Sequence, residues 1–339
     1  MHLSEFEFEL PAHLIAQEPL AERGASKLMV VDPTGRRPLE HRAFADIVEL
    51  LLPGTVLALN ETRVVPARFL GKRDSGGRVE VLLVRPLADG QWEALIRSGG
   101  SLRPAEVLSL EDGRATLALV APRGAGRWSV TFGDEDALAV AEACGRTPLP
   151  PYIKREATAR DRETYQTVFA RVPGAIAAPT SGLHFTPALL DGLRRKGVTI
   201  APLVLHVGPG TFMPVRGERV EDHVLEAERY AIPPETAGTL QDARAEGRPV
   251  VACGTTCVRA LEAFARTGEA EGATDLYVYP PFEFAIVDGM ITNFHLPKST
   301  LILLVAALAG RETILDAYRE AVARAYRFYS YGDAMYIRP

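Results

Sequence analysis

The chain has 339 residues, of which 47% are hydrophobic and 24% are charged. These fractions are typical of a globular protein and exclude intrinsic disorder, collagen and coiled coil. The length predicts two domains, since one domain takes roughly 100–200 residues. The net charge of −5 argues against a general nucleic-acid binder, but it leaves room for a local patch that recognises one folded RNA.

Three further observations concern the cellular compartment. Three cysteines provide no disulfide framework. The longest apolar run, residues 301–309, is about half of what a bilayer crossing needs. Residues 5–9 read Glu-Phe-Glu-Phe-Glu, which is unlike the start of a secretory signal. The sequence therefore predicts a soluble cytoplasmic protein with no membrane partner.

The first sixty residues alternate between strand and helix patterns. A short helix is predicted to begin at Pro11, a strand to cover residues 27–32, and an amphipathic helix to cover residues 43–52. The Pro-Gly pair that follows ends this helix, and residues 55–59 are then predicted to form a strand.

From about residue 65 to 145 the pattern changes to short β-rich runs separated by glycine turns. The runs are residues 78–84, 91–96, 105–110, 115–120 and 128–132. Tight turns at this spacing indicate an antiparallel sheet or a small barrel, and residues 134–144 are predicted to close it with a helix.

After residue 151 the alternation of strands and helices resumes. Strands are predicted at 199–207, 249–253, 275–279 and 290–294, and helices at 186–196, 234–246, 255–265, 299–309 and 312–326. The predicted fold class is therefore mixed α/β (α+β). A large mixed-sheet domain, residues 1–64 and 146–339, holds an inserted small antiparallel β-barrel-like domain at 65–145.

Two segments next to predicted strands carry candidate polar residues. In the segment 60–68, Asn60 is suited to local hydrogen bonds and Arg63 to binding an anion. Polar residues that connect two domains would explain both equally well. In the segment 178–187, His184 lies just ahead of a helix that Thr186 and Pro187 begin, and packing explains this histidine as well as function does.

The segment 203–212 ends a predicted strand at His206 and enters a Gly-Pro-Gly loop. The G-x-G-x-x-G spacing of dinucleotide-binding folds is absent, so the glycines are better explained by the close approach of a flat ligand. His223 and Glu228 follow in a polar loop or short helix, which solvated surface explains equally well.

The segment 250–262 combines a strand, a glycine turn and a helix that threonine is expected to cap. Such a turn is a ready site for a carboxylate or a phosphate. Arg259 and Glu262 share one helix face, where a surface ion pair is the simpler interpretation for Glu262. The spacing of Cys253 and Cys257 makes zinc or redox chemistry improbable.

Two further segments lie near the C-terminus. His295 and Lys298 stand at the start of the most apolar helix, where polar residues are costly unless they bind something. Residues 329–335 place aromatic side chains and Asp333 around a glycine, which indicates either a stacking platform with a carboxylate or a strand that seals the core.

Together these segments resemble one family, the S-adenosylmethionine:tRNA ribosyltransferase-isomerases of queuosine biosynthesis. The matching blocks, in order, are residues 14–17, 59–64, 145–153, 161–166, 178–185, 205–212, 254–262, 291–300 and 331–335. One departure is Glu226, where the family commonly has a second histidine, which argues against an indispensable base at that position.

The resemblance implies an enzyme that uses S-adenosylmethionine as a ribosyl donor rather than a methyl donor. The acceptor would be the aminomethyl group of 7-aminomethyl-7-deazaguanine at the wobble position of certain tRNAs, and the products epoxyqueuosine-tRNA, adenine and methionine. S-adenosylmethionine would be a co-substrate, with neither a prosthetic group nor a metal, and the chain is expected to act as a monomer.

The resemblance also suggests roles for particular residues. Proton transfer is assigned to His184, His206, His295 and Asp333, and anion contacts to Lys298, Arg259 and the amides of Thr255 and Thr256. Phe185, Phe212 and Tyr331 are assigned to stacking on a base, and Asn60, Arg63 and Thr180 to substrate binding.

Two other classes of function stay open from the residues. A zinc hydrolase would use His184, His206, His223 and His295, but no pair has a short metal-ligand spacing. A non-enzymatic RNA-binding adaptor would use the β-barrel and the basic residues at 154–171. Release of adenine from S-adenosylmethionine that depends on tRNA would distinguish the transferase from the zinc hydrolase and from the adaptor.

Overall fold

A computed structural model of the chain describes residues 1–208, 210, 215 and 217–339. The strands are β1 (Lys27–Val31), β2 (Glu40–Ala43), β3 (Val56–Asn60), β4 (Thr62–Val64), β5 (Arg68–Arg73), β6 (Arg78–Pro86), β7 (Trp92–Ser98), β8 (Val107–Leu110), β9 (Ala115–Gly124), β10 (Arg127–Thr131), β11 (Val172–Ala175), β12 (Thr199–Leu205), β13 (Glu228–Ala231), β14 (Val250–Cys253), β15 (Glu271–Thr274), β16 (Gly289–Asn293) and β17 (Ala334–Ile337). The α-helices are α1 (Ile47–Leu50), α2 (Ala137–Cys144), α3 (Asp161–Thr164), α4 (Pro187–Arg195), α5 (Pro234–Glu246), α6 (Thr255–Thr267), α7 (Thr300–Ala309) and α8 (Arg311–Ala323).

Within these residues, nine strands form one mixed sheet in the order β15-β13-β12-β3-β14-β16-β17-β1-β2. The four neighbours β12, β3, β14 and β16 are parallel, while β17 runs antiparallel to β16. The carboxyl ends of the four parallel strands therefore meet at one edge of the sheet, where ligands bind in open α/β folds.

Helices cover both faces of this sheet, and the central strands are buried on both sides. In β3, Val56 and Ala58 pack into the core beneath α5 to α8, whereas Leu57 and Leu59 pack into the core with α1 and α4. Burial on both faces explains continuous apolar runs such as Val250–Cys253, because a central parallel strand has no solvent-facing side.

The inserted region is a closed barrel of six antiparallel strands, in the order β10-β7-β6-β5-β8-β9. Alternate residues such as Val79, Val81 and Leu83 of β6 fill its interior. Its strands run from Arg68 to Thr131, within the predicted 65–145 insertion. The predicted mixed α/β class with an inserted antiparallel barrel is confirmed, while the division into domains at these boundaries stays a prediction.

Strand β5 was missed by the sequence patterns because Gly71 interrupts its apolar alternation. A Cβ atom at Gly71 would lie 2.5 Å from the carbonyl oxygen of Ser109 on β8. The glycine therefore allows two barrel strands to approach closely, which is a known reason for glycine inside a strand.

Three predicted elements differ from the observed ones. The helix predicted at 43–52 is a 3₁₀ turn, Phe44–Asp46, followed by one turn of α-helix. The strand predicted at 275–279 is wrong, because the chain pairs with β13 earlier, at Glu271–Thr274. The last helix ends at Ala323 instead of 326, although Tyr326 is still buried in the same core. Among the described residues, no helix is long and apolar enough to cross a membrane.

Candidate functional site

Most of the segments identified from the sequence reach the same edge of the large sheet. Asn60 ends β3, His206 follows β12, Gly254 follows β14 and Asn293 ends β16. Asn293 pairs with Ala334 of β17, so the residues just before β17 arrive there too. Leu28 of β1 also pairs with Ala334, which brings the segment before β1 to this edge.

A cavity of about 470 Å³, open to solvent on one side, lies at this edge. Four chain segments line most of it, residues 178–181, 254–256, 293–295 and 329–330, together with Val207 and Leu301. Among the predicted site residues, Thr180, Thr255, Thr256 and His295 line it directly.

Helix α6 begins at one wall of this cavity. Its first residue follows Gly254, whose φ of +92° lies in the region that favours glycine. No side chain caps the helix, so the prediction of a threonine cap is wrong. The amides of Thr255 and Thr256 belong to a first turn that has no intrahelical acceptors, and with the positive end of the helix dipole they suit a carboxylate or phosphate.

Asn293 is the centre of a neutral hydrogen-bond network in the wall. Its amide oxygen accepts hydrogen bonds from Thr180 Oγ1 at 3.1 Å and Ser181 Oγ at 3.2 Å. Its amide nitrogen lies 3.1 Å from His184 Nε2, so that nitrogen is the acceptor and His184 Nδ1 carries the proton towards Ser26 Oγ, 2.8 Å away. Burial, with a smaller contribution from Arg327, lowers the pKa of His184 to about 4.

His295 is the histidine that opens directly onto the cavity. Its Nε2 lies 2.9 Å from Thr292 Oγ1, and its backbone amide donates to Tyr318 Oη at 3.0 Å. Its Nδ1 has no hydrogen-bond partner among the described residues. Burial lowers the pKa of His295 to about 3, so the imidazole is neutral near pH 7.

His206 lies beside the cavity, next to the lining residue Val207. Its Nδ1 lies 2.8 Å from Thr62 Oγ1, and burial, followed by the charge of Arg229, lowers its pKa. A Cβ atom at Gly174, where φ is +148°, would lie 2.7 Å from the imidazole Cε1 atom. The absence of a side chain at this glycine therefore makes room for the ring.

Asp333 and Tyr331 stand behind the cavity wall. Asp333 accepts backbone hydrogen bonds from Lys27 at 2.9 Å and Arg327 at 2.8 Å, while burial raises its pKa. Tyr331 donates a hydrogen bond to Asp161 at 3.2 Å and is almost fully buried. Both residues hold chain segments together, and neither lines the cavity.

Arg259 lies on the far side of helix α6, in a smaller recess of about 350 Å³ that shares Thr255 and Thr256 with the cavity. Its guanidinium forms a buried ion pair with Glu228 and donates to the carbonyls of Leu276 and Thr274, each at 3.0 Å. These three contacts hold the guanidinium within the protein, and the contact of Arg259 with a substrate anion stays a prediction.

The expectations for the two glutamates near Arg259 are also corrected. Glu228 is buried on strand β13, and its second carboxylate oxygen accepts from the Gly208 amide at 2.7 Å. Glu262 is completely buried and forms no ion pair with Arg259. It accepts from the amides of residues 285–287 and pairs with Arg266. The pair of Arg259 with Glu228 spans 31 residues, so no local sequence pattern predicts it.

Three other predicted residues do not reach the cavity. Phe185 is wholly buried against Phe44 and packs in the core with α4, so neither face of its ring is free to stack on a base. Arg63 pairs with Glu142 at 2.6 Å and Lys298 with Glu7 at 2.8 Å, both near the surface. Phe212 lies outside the described residues.

Asn293, Ser181 and Ser330 line the cavity but were not predicted as site residues. Each stands inside or beside a block that was already singled out, so the blocks were the available signal. Ser330 Oγ and Tyr152 Oη are hydrogen-bonded, which ties the segment after the barrel to the cavity wall. No three His, Cys, Asp or Glu side chains form a metal-binding group among residues 1–208, 210, 215 and 217–339.

Comparisons with known proteins agree with this architecture. Residues 3–337 match the family described as queuosine biosynthesis protein. A relative from Thermotoga maritima, named S-adenosylmethionine:tRNA ribosyltransferase-isomerase, is 49% identical over 99% of this chain and 100% of its own. A relative of the same name from Geobacter sulfurreducens is 50% identical with the same coverage. The chain belongs to the queuosine biosynthesis protein family.

A solved structure supports the fold. The crystal structure of S-adenosylmethionine tRNA ribosyltransferase from Thermotoga maritima matches with a TM-score of 0.57 and 40% sequence identity. The match covers 98% of this chain and 100% of that one. This chain, with its large mixed sheet and inserted barrel, therefore resembles an experimentally determined structure over almost its whole length.

Proposed function

We propose that this chain transfers and isomerises the ribosyl group of S-adenosylmethionine onto the aminomethyl group of 7-aminomethyl-7-deazaguanine in tRNA. The products are epoxyqueuosine-tRNA, adenine and methionine. The observation that carries the proposal is the convergence of four family blocks on one cavity, in a chain that matches transferase-isomerase relatives over nearly its full length.

The cavity suits a sulfonium nucleoside for electrostatic reasons. The side chains of its wall are neutral hydroxyls, an amide and imidazole, so no fixed cation in the wall repels the sulfonium. The start of α6 offers amides for the carboxylate of the methionine portion, which we assign to Thr255 and Thr256. Thr180 and Asn60 contribute to binding by fixing Asn293 and Thr256, to which they are hydrogen-bonded.

The reaction needs a base, because the sulfonium acidifies the C5′–H bonds and a positioned base can then form an ylide. We assign this role to His295, because it lines the cavity and its Nδ1 has no hydrogen-bond partner among the described residues. Adenine departs more easily when a ring nitrogen is protonated, and the proton taken by His295 is available for that step. The acceptor amine forms its C–N bond to the ribosyl group in place of the bond to adenine and releases one proton to solvent. The epoxide then closes as the C–S bond breaks and methionine leaves as a neutral thioether, so the positive charge of the sulfonium leaves with the released proton.

The other predicted proton-transfer residues take positioning roles in this scheme. His184 orients Asn293 in the wall, and Asp333 joins the segments before β1 and β17 through two backbone amides. His206 stands beside Val207 at the margin of the cavity, where the acceptor amine would enter. That amine must be neutral to attack, and a largely desolvated margin lowers its pKa.

We further propose that the acceptor base is at the tRNA wobble position and that the protein acts in the cytoplasm as a monomer. No prosthetic group is required in this scheme, because S-adenosylmethionine itself carries both leaving groups.

The test is release of adenine and methionine from S-adenosylmethionine, measured by chromatography. We expect release with tRNA that carries the aminomethyl-deazaguanine and none with tRNA that carries guanine at that position. His295→Ala should lower turnover by about 10²–10⁴-fold, the usual contribution of acid–base catalysis. His13→Ala is the matched control, because His13 is an exposed histidine. An inactive wild-type chain, or a fully active His295→Ala variant, would contradict the proposal.

The same assay is applied to His184→Ala and His206→Ala. Because these residues act through neighbours, we expect a smaller loss of turnover than for His295→Ala. If all three folded variants kept normal turnover, the assignment of the histidines would fail.

A further inference from the structure

A second and larger recess, here called the barrel groove, lies between the β-barrel and the segment 148–156. Its volume is about 1750 Å³. Arg97 of β7 and Leu82 of β6 form part of the barrel side, and Ile153 and Lys154 form part of the other. The barrel groove is open to solvent, so a polymer can lie along it.

The barrel groove is locally positive in a chain whose net charge is −5. Four basic side chains line it, Arg68, Arg97, Lys154 and Arg155, against the acidic Glu80 and Glu156. Polyanions gain binding free energy from such a patch by releasing counterions.

Two of these cations are available to a ligand. Lys154 is exposed and its ammonium has no ion-pair partner among the described residues. Arg97 is 82% exposed, and its closest carboxylate contact, with Glu80, is 3.9 Å long. By contrast, Arg155 is held by two hydrogen bonds to Asp161 at 2.7 and 2.8 Å. Lys154 and Arg97 can therefore turn towards phosphates at little cost.

Two chain segments join the lining of the barrel groove to the lining of the cavity. Ile176 lines the groove and Ala178 lines the cavity, two residues further along the same segment. On the other side, Ile153 of the groove follows Tyr152, which is hydrogen-bonded to the cavity residue Ser330. A strand of RNA in the groove can therefore place an unstacked base at the cavity, which is how single-stranded loops are recognised.

We propose that the barrel groove binds the anticodon arm of the tRNA substrate, with Lys154 and Arg97 contacting its phosphates. The apolar floor, with Leu82 and Ile153, contacts sugars and base faces, while the cations set the position of the backbone. This inference rests on the proposed function, because it assumes that the base enters the cavity described above.

The test measures the binding of an anticodon stem-loop RNA oligonucleotide by fluorescence anisotropy over a series of KCl concentrations. Lys154→Ala and Arg97→Ala should each weaken binding by about 5- to 10-fold at 0.1 M salt. Each should also reduce the slope of log K against log salt by about 0.7–0.9, the effect of one lost phosphate contact. In the tRNA reaction the KM for tRNA should rise, with kcat and the KM for S-adenosylmethionine unchanged.

Two control variants separate phosphate contacts from structural damage. Arg244→Ala removes an exposed arginine on α5, outside the groove, and should leave both affinity and slope unchanged. Glu156→Gln removes an acidic side chain that is 69% exposed within the groove, and should tighten RNA binding by about 2- to 5-fold. Damage to the fold does not tighten binding.

The outcomes distinguish this inference from the proposed function. The wild-type chain could release adenine with tRNA while Lys154→Ala and Arg97→Ala bind the RNA with wild-type affinity. In that case the assignment of RNA binding to the groove is wrong and the proposed function stands. If the wild-type chain releases no adenine, the function fails, and RNA affinities still decide the groove. Failure of the wild-type chain to bind the stem-loop RNA overturns the groove assignment.

Discussion

The cavity wall and the outer side of helix α6 are both buried and polar, but their polar groups are satisfied in opposite ways. The neutral wall (Thr180, Ser181, His184, Asn293 and His295) contains hydroxyls, an amide and uncharged imidazoles. The charged frame (Glu228, Arg259, Glu262 and Arg266) contains carboxylates paired with guanidinium groups and backbone amides.

This difference separates positioning from ligand binding. A buried charge must be fully paired, so the groups of the charged frame are committed within the protein and fix helix α6 and the loops around it. Neutral groups are less costly to bury and can exchange a partner for a ligand. The buried charged residues of this frame, including Arg259, therefore do not line the cavity, whereas neutral polar residues do.

The largest expected effect concerns the charged frame. Arg259→Leu removes the guanidinium that forms a buried ion pair with Glu228, and should lower the free energy of unfolding by about 3–5 kcal/mol. Urea denaturation followed by circular dichroism measures this. The double variant Arg259→Leu/Glu228→Gln removes both charges and should recover part of the loss. A loss below about 1 kcal/mol in the single variant would mean that the frame does not depend on this pair.

The two histidines of the neutral wall should make the free energy of unfolding depend on pH. The pKa of His184 is lowered to about 4 and that of His295 to about 3, so the unfolded chain takes up protons below pH 6.5 before the folded chain does. Stability is therefore fully present above pH 6.5 and falls as the pH drops towards 4, by up to about 1.4 kcal/mol per pH unit for each histidine.

Urea unfolding at a series of pH values tests this expectation. His184→Gln should reduce the slope of unfolding free energy against pH by the contribution of one histidine, up to about 1.4 kcal/mol per pH unit. His13→Gln changes an exposed site and should leave the slope unchanged. A wild-type stability that is flat between pH 6.5 and 4 would show that the wall histidines are not held neutral by burial.

A third prediction concerns Asp161, a charged residue that holds Tyr331 next to the neutral wall. Hydrogen bonds from Arg155 and Thr158 outweigh its burial and lower its pKa to about 2. The ionised form is therefore favoured by folding, and Asp161→Asn should cost about 2 kcal/mol at pH 7. The difference between wild type and variant should shrink as the pH falls from about 4 to 2. A difference that is independent of pH would point to packing instead of charge.

The smallest expected effect on stability lies in the neutral wall itself. Thr292→Val keeps the shape of the side chain but removes the hydroxyl next to His295 Nε2, and should cost about 1 kcal/mol. Because the ring of His295 then loses its orientation, adenine release should fall by a larger factor than stability alone explains. Thr239→Val is the matched control, since its hydroxyl bonds within exposed helix α5. Equal turnover in both variants would argue against His295 as the base.

Much of the fold was accessible from sequence patterns. The apolar runs at 55–59 and 250–253 predicted the central strands, and the glycine turns between 65 and 145 predicted the antiparallel barrel. These patterns are local, because side-chain periodicity and turn residues act over a few positions. For the same reason the sequence blocks marked the correct loops, since loops at carboxyl ends of parallel strands must share one edge.

Which residues within those loops face the cavity was decided only by tertiary structure. Phe185 and His184 are adjacent in the chain, yet the first packs against Phe44 in the core while the second supports Asn293. Arg259 forms its ion pair with Glu228, 31 residues away, and not with Glu262 on its own helix face. Such choices depend on burial, which makes an unpaired charge or amide costly and is set by contacts between distant segments.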